Sequence, residues 1–172
     1  MRFPHQHLQK AVLAALFAAL TFVATAFITV PLPLGYVNLG DAFVLLGGLL
    51  LGPVYGAVAG GIGAMLGDLM LGFAQYAPVT LLIKAVMALI AAGFGAWSAK
   101  YGKVAAFGLR AVGGVLAESV MVGGYLLFET VLYGFAGAAV SVPFNALQGA
   151  VGLALALLLY PLIQQVMKRT MK

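Results

Sequence analysis

The sequence predicts an all-α integral membrane protein of six transmembrane helices with both termini cytoplasmic. Three observations carry that reading. Of 172 residues, 64% are hydrophobic and 8% charged, where a soluble domain keeps about a quarter of its residues charged, and mean hydropathy is +1.12. Apolar stretches long enough to cross a bilayer recur along the chain. Eight of the nine Lys and Arg residues fall in three clusters: Arg2 and Lys10, then Lys100, Lys103 and Arg110, then Lys168, Arg169 and Lys172. Such clustering is what the positive-inside rule expects of cytoplasmic loops, and it accounts for the net charge of +5 with no need of nucleic acid. The chain has no cysteine, which excludes a disulfide framework, a thiolate nucleophile and a Cys-based metal site.

A spanning helix needs roughly 20 mostly apolar residues. Segments 8–29, 54–72, 78–99, 106–133 and 143–166 meet that length, and 41–52 makes a shorter sixth. Five spans would put the terminal basic clusters on opposite sides, whereas six bring every cluster inside. Arg2 and Lys10 ahead of the first apolar run, with Ala24-Thr25-Ala26 near its end, have the outline of a secretory signal. The run is longer than the roughly 7–15 residues of a signal core, so the first helix is expected to stay. Gly52-Pro53 reads as a tight inner turn, since Gly suits a helix end and Pro a helix start. The outer side receives 30–40, 73–77 and 134–142. Segment 30–38 is too rich in Pro and Gly for helix and too apolar to float in water, so it is expected to fold back over the protein. Gly56, Gly60, Gly63 and Gly67 share a face and predict close packing among the second to fourth helices. No fixed-period repeat or linker interrupts the chain, and residues 1–172 are expected to form one domain.

The informative residues are the polar ones inside apolar helices. Asp41, Asp68, Glu118 and Glu129 are all the carboxylates, and Lys84 is the cation placed away from the inner side. Ionisable groups at membrane depth are costly, and they line cavities or pair with each other. The topology sets Asp41, Asp68, Lys84, Glu129, Asn145 and Gln148 in the outer half and Glu118 near the middle, so a pocket loaded from outside is expected. At 100° per residue, Glu118, Val122, Tyr125 and Glu129 form one stripe, with the two Glu only about 20° apart. Tyr76, Thr80 and Lys84 form another, and Asn145 and Gln148 a third. Asp68 and Lys84 either make a structural ion pair or contact a ligand; Asn145 and Gln148 either contact ligand or hydrogen-bond between helices. Tyr36, Phe73, Tyr76 and Tyr133 are equally suited to anchoring at the interface and to stacking on a flat ligand.

Binding fits these residues better than catalysis. No Gly-rich loop ends in Gly-Lys-Ser/Thr, so the chain is not expected to hydrolyse ATP. His5 and His7 lie in the N-terminal segment with no acidic residue nearby, which argues against a metal site. The two Glu of the fifth helix have no Ser/His or metal partner with which to catalyse. No cofactor is expected.

Across nearly its whole length the chain resembles the substrate-binding S component of an energy-coupling factor (ECF) vitamin transporter. The residues that carry the resemblance are Ala14 to Leu20; Asn38-Leu39-Gly40-Asp41 followed by Leu51 to Gly56; Gly67-Asp68-Leu69 with Gly72; and, most specific, Ala77-Pro78-Val79-Thr80-Leu81-Leu82-Ile83-Lys84. The resemblance implies a multi-pass protein of a bacterial or archaeal plasma membrane. Such a protein captures a vitamin from outside and docks on a membrane T component driven by two cytosolic ATPase subunits. The family's Ala-x-x-x-Ala docking surface matches Ala15 and Ala19, with Ala11 one turn earlier; packing inside the S component is the alternative use of these small residues. The resemblance also implies an outer pocket between the fourth, fifth and sixth helices, under a lid after the first helix. Tyr36, Asn38, Tyr76, Thr80, Lys84, Tyr125, Glu129, Asn145 and Gln148 are the expected ligand contacts, and Asp41 and Asp68 fall outside that helix set.

A pocket with aromatic rings, amides and one cation suits a small flat heterocycle better than an anion. The pattern is most similar to S components for hydroxymethylpyrimidine or pyridoxine, with the riboflavin group as runner-up. Outside the family, the alternative is a self-sufficient proton-coupled transporter or membrane enzyme using Glu118 and Glu129.

Overall fold

A computed structural model describes residues 3–32 and 35–170, with side chains from His7 onward and up to Arg169. Arg2, Pro33, Leu34 and Lys172 lie outside the described residues, as does the side chain of His5. Helix α1 (Phe3–Phe27) leads into an antiparallel hairpin of β1 (Thr29–Leu32) and β2 (Gly35–Asn38), followed by α2 (Gly40–Leu51), α3 (Pro53–Met70) and α4 (Ala77–Ser98). A last helical stretch, Lys103–Thr170, breaks at Gly134 (φ 75°, ψ 161°) into α5 (103–133) and α6 (135–170).

Two of these elements differ from the sequence reading. Segment 30–38 does fold back, but as a hairpin with Thr29 opposite Asn38 and Pro31 opposite Tyr36. Thr29, Val30, Tyr36 and Val37 are β-branched or aromatic and favour a strand, and the hairpin's own ladder satisfies backbone groups that a loop would leave bare. The expected outer loop 134–142 is instead helical except at Gly134. Ala136, Ala138 and Ala139 are good helix formers, so α6 starts early and carries Pro143 and Pro161 inside it.

The remaining boundaries follow local chemistry. Gly52 (φ 84°) takes a left-handed conformation that glycine tolerates, and Pro53 opens α3 at its first turn, giving the tight turn expected there. Among the described residues, three stretches are long and apolar enough to cross a membrane: His7–Phe27, Ala77–Ser98 and Lys103–Arg169. Helix α2 has 12 residues, or about 18 Å at 1.5 Å each, short of a roughly 30 Å hydrocarbon core. It is apolar on every side because it lies at the centre: Val44, Leu45 and Leu46 are all within 1% of complete burial.

Lipid is as apolar as this core, so close backbone approach has to supply the packing energy. The glycine stripe of α3 provides it. A Cβ on Gly56 would lie 2.7 Å from the Gly48 Cα of α2, and one on Gly67 would lie 2.9 Å from Thr25 Cβ of α1. The stripe therefore faces α2 and α1; Gly61 is what meets α4, at Leu81. Leu8, Val12, Leu16, Leu82, Leu127 and Leu158 stay exposed, as a lipid-facing surface requires.

The two ends of the bundle differ in charge. His7 reaches Tyr55 at the start of α3 (3.3 Å). Arg110 donates to Ser98 at the end of α4 (3.0 Å), and its guanidinium lies 4.2 Å from the centre of the Tyr160 ring. The described basic residues apart from Lys84 thus gather at the end away from the hairpin, and the hairpin end holds Asp41, Asp68, Glu129 and Lys84.

Candidate functional site

Beneath the hairpin, side chains from five helices and β2 surround a small cavity of about 40 Å³. All nine residues expected from the sequence as ligand contacts line it: Tyr36 and Asn38 from β2, Tyr76, Thr80 and Lys84 from the start of α4, Tyr125 and Glu129 from α5, and Asn145 and Gln148 from α6. The α4 stripe meets the α5 stripe directly. Thr80 Oγ1 and Tyr125 Oη are 2.9 Å apart, Tyr76 donates to Glu129 at 3.3 Å, and the Lys84 ammonium is 5.5 Å from the centre of the Tyr125 ring.

The charge pairing corrects one expectation. Lys84 forms its ion pair with Asp41, not Asp68. Helix α2 wedges between α4 and α6, as the approach of Gly152 to Asp41 Cβ (2.8 Å for a Cβ placed there) shows, and this brings Asp41 to Lys84. Both partners are nearly fully buried, a setting in which removing one member costs about 3–5 kcal/mol. Asp68 instead accepts from the Tyr36 hydroxyl. Burial first, and then the Asp68 carboxylate beside it, push the Tyr36 phenol well above its usual range, so it remains a donor.

Both ends of the Gln148 amide bond to protein. Its Nε2 donates to Asp41 Oδ2 (2.7 Å), and its Oε1 accepts from the Asn38 amide of β2 (2.8 Å). It ties α6 to α2 and to the hairpin. The Asn38 side chain accepts from Gly40 N at 2.8 Å, so the hairpin is fastened where it enters α2. Glu129 accepts from Ser141 as well as Tyr76. No such bond engages the Asn145 side chain among the described residues.

Of the further contributors, sequence reasoning missed Thr25, set Asp68 outside the expected helix set, and left Phe73 open between interface anchor and stacking partner. Thr25 of α1, Asp68 of α3 and Phe73 before α4 all line the cavity, with Phe73 tilted against Tyr36 at 5.2 Å between ring centres. The first two come from helices that the expected pocket left out. The spacing of Thr21 and Thr25, matched to that of Gly63 and Gly67 on α3, was the available signal. Glu118 is absent from the cavity wall. It faces a groove between α5 and α6, where a Cβ on Gly149 would lie 2.9 Å from its Oε2. Among the described residues, no three His, Asp or Glu side chains assemble as metal ligands.

On α1, Ala11, Ala15 and Ala19 are exposed on the outer surface, whereas Ala14 is buried and Ala18 partly so. The two faces of the alanine pattern are therefore separate, and the inner one does the internal packing.

Residues 5–166 match the family described as ECF-type riboflavin transporter, S component. The "Thiamine precursor transporter HmpT" of Lactococcus lactis subsp. cremoris (strain MG1363) is 31% identical over 164 residues, covering 94% of this chain and 91% of that protein. An "Uncharacterized protein in gap 3'region" of Pyrococcus woesei is 35% identical over 133 residues, or 76% of this chain and 85% of its own length. With a membrane-type helical bundle and a polar cavity under a hairpin already in place, the chain belongs to the ECF-type S components, which are substrate-binding subunits of transporters and not enzymes.

Proposed function

We propose that this chain binds a small heterocyclic vitamin precursor of the hydroxymethylpyrimidine kind from the outer side of a bacterial or archaeal plasma membrane. It then hands the ligand to a membrane T component with two cytosolic ATPase subunits. The observation that carries the reading is the cavity itself: a small space ringed by phenols, hydroxyls, amides, carboxylates and one ammonium, at the end of the bundle opposite the basic clusters. By the positive-inside rule those clusters mark the cytoplasm, which puts both termini inside, six passes between them, and the cavity outside.

Size and chemistry support a one-ring ligand. A space of about 40 Å³ is smaller than either ligand, and a single ring asks for less widening of it than riboflavin, with three fused rings and a sugar-like chain. The similarity to the thiamine precursor transporter points the same way. The family description favours riboflavin and keeps it as the second reading; pyridoxine is the other one-ring option. Tyr36, Asn38, Tyr76, Thr80, Lys84, Tyr125, Glu129, Asn145 and Gln148 make up the pocket. Ala11, Ala15 and Ala19 form the docking face for the T component, since small exposed side chains let another helix come close. A proton-coupled carrier would need Glu118 on the ligand's path, and Glu118 faces a different groove.

Isothermal calorimetry on the detergent-solubilised chain, across hydroxymethylpyrimidine, pyridoxine, thiamine and riboflavin, tests this without ATP or partners. Hydroxymethylpyrimidine is expected to bind most tightly. Tightest binding of riboflavin would replace the reading with its alternative, and no binding by folded protein would remove both.

A further inference from the structure

Two side chains on one wall of the cavity end in atoms that make no hydrogen bond among the described residues. Among the described residues, the buried side-chain polar atoms with no hydrogen bond are Thr25 Oγ1, Asp68 Oδ2 and the two carboxylate oxygens of Glu118. Thr25 is 2% exposed and Asp68 4%, and both line the cavity. They reach it from α1 and α3, which pack closely where Gly67 leaves room for the Thr25 side chain. A buried polar atom without a partner is destabilising, so an unmade bond at each of two adjoining helices has to be explained.

The neighbouring polar groups narrow what could complete it. Lys84 is taken by Asp41, both ends of Gln148 are taken by Asp41 and Asn38, and Glu129 holds two hydroxyls. Asp68 Oδ1 is held by Tyr36 of the hairpin, which fixes the direction in which Oδ2 points. The Thr80 hydroxyl also lies beside Asp68 but is engaged with Tyr125 at 2.9 Å, so the open position on this carboxylate is an acceptor, and the cation nearest in the lining is already paired. The group missing at Asp68 is therefore a donor, and a partly cationic one gains most, because hydrogen bonds to charged acceptors are strengthened when the donor shares charge; the Thr25 hydroxyl beside it can donate to a ring nitrogen or accept from an amino group.

We propose that Asp68 and Thr25 form a donor-reading wall that selects a ring bearing an N–H edge, an aromatic amino group beside a protonatable ring nitrogen. This rests on the vitamin-precursor reading and narrows it to aminopyrimidines over ligands that offer only hydroxyls or ring acceptors, such as pyridoxine. It also gives one carboxylate two tasks, since its other oxygen fastens the hairpin through Tyr36. Ligand and hairpin then support the same side chain.

The test is a two-by-two comparison by calorimetry. The ligands are amino-bearing hydroxymethylpyrimidine and the analogue with hydrogen in place of the amino group. The proteins are the unaltered chain and Asp68→Asn, which still accepts from Tyr36 but turns a donor toward the ligand's N–H. The unaltered chain is expected to prefer the amino ligand at least tenfold, and Asp68→Asn to lose at least tenfold on that ligand and less than threefold on the analogue. Equal affinity of the unaltered chain for the two ligands would overturn the assignment with no variant involved, which covers the case of an Asp68→Asn protein that does not fold. An equal loss on both ligands would overturn it too. If the unaltered chain binds neither ligand but binds riboflavin, the vitamin-precursor reading fails first.

Discussion

Gln148 and Asn145 lie one helical turn apart on α6, and replacing each with Ala is expected to produce different failures. The Gln148 amide is spent inside the protein: Gln148→Ala removes a bond to the Asp41 carboxylate (2.7 Å) and strands the Asn38 amide of the hairpin (2.8 Å). A hydrogen bond to a charged group contributes about 1.5–3 kcal/mol, and a buried donor left unpaired costs about 1–3 kcal/mol. The loss in stability is therefore about 2.5–6 kcal/mol, reduced to the extent that water reaches the hairpin amide. Asn145 makes no side-chain hydrogen bond among the described residues and faces the cavity, so Asn145→Ala should leave stability nearly unchanged and weaken ligand binding by about 1–3 kcal/mol. Thermal unfolding in detergent reads the first effect, calorimetry the second, and amide hydrogen exchange over residues 35–38 reports whether the hairpin has come loose. Gln148→Ala protein with unchanged melting and exchange but much weaker binding would show that Gln148 touches ligand, and the account of it as a tie between hairpin and helices would be wrong.

Two other perturbations separate packing from function. Lys84→Met strands the Asp41 charge in a nearly fully buried site and should cost about 3–5 kcal/mol, while Lys84→Met with Asp41→Asn should recover most of that, since an uncharged replacement of a buried pair is often close to neutral; unfolding midpoints of the two variants would be compared. Ala15→Trp puts a large ring on an exposed part of α1, away from the cavity. It should abolish uptake and co-purification with the ATPase-bearing partners while ligand affinity stays within a few-fold, and a parallel fall in affinity would place Ala15 in the internal packing instead.

Much of this was legible in the sequence because membrane depth makes polarity conspicuous. A carboxylate or amide in an apolar helix has to be accommodated, and helical spacing alone grouped Tyr76 with Thr80 and Lys84, and Tyr125 with Glu129. What spacing leaves open is which helices abut. Asp41 meets Lys84 because α2 lies between α4 and α6, a consequence of glycines at 48, 56 and 152 whose partners lie on other helices. Thr25 escaped notice because one hydroxyl among apolar neighbours raises no alarm. It is informative only once Gly67 is seen opposite it. The hairpin escaped because Pro31, Pro33 and Gly35 punctuate it, and the strand signal in four-residue runs is weak. The outer loop expected at 134–142 holds Gly137 and abuts Pro143, both poor helix residues. A helix already extending to 170 can absorb both.

The shortness of α2 explains how the site keeps a buried charge that no ligand has to balance. Because the hairpin occupies the outer part of the bundle, α2 starts beneath it, and Asp41 falls in the first turn, where exposed amide groups and the helix dipole favour a negative charge. Lys84 from α4 and Gln148 from α6 complete its surroundings. Asp41 is thus held from three directions and sits behind the cavity lining, not in it. Had α2 begun one turn earlier, the same carboxylate would project into the hairpin, and Lys84 would stand uncompensated in the cavity as an anion site. With the pair closed, Lys84 contributes its stem and its position over Tyr125, and the unspent polarity of the wall is an acceptor on Asp68 and a hydroxyl on Thr25. On the proposed reading, the depth at which one short helix begins thus decides that this cavity favours a ring with donors over a ring with a phosphate or carboxylate.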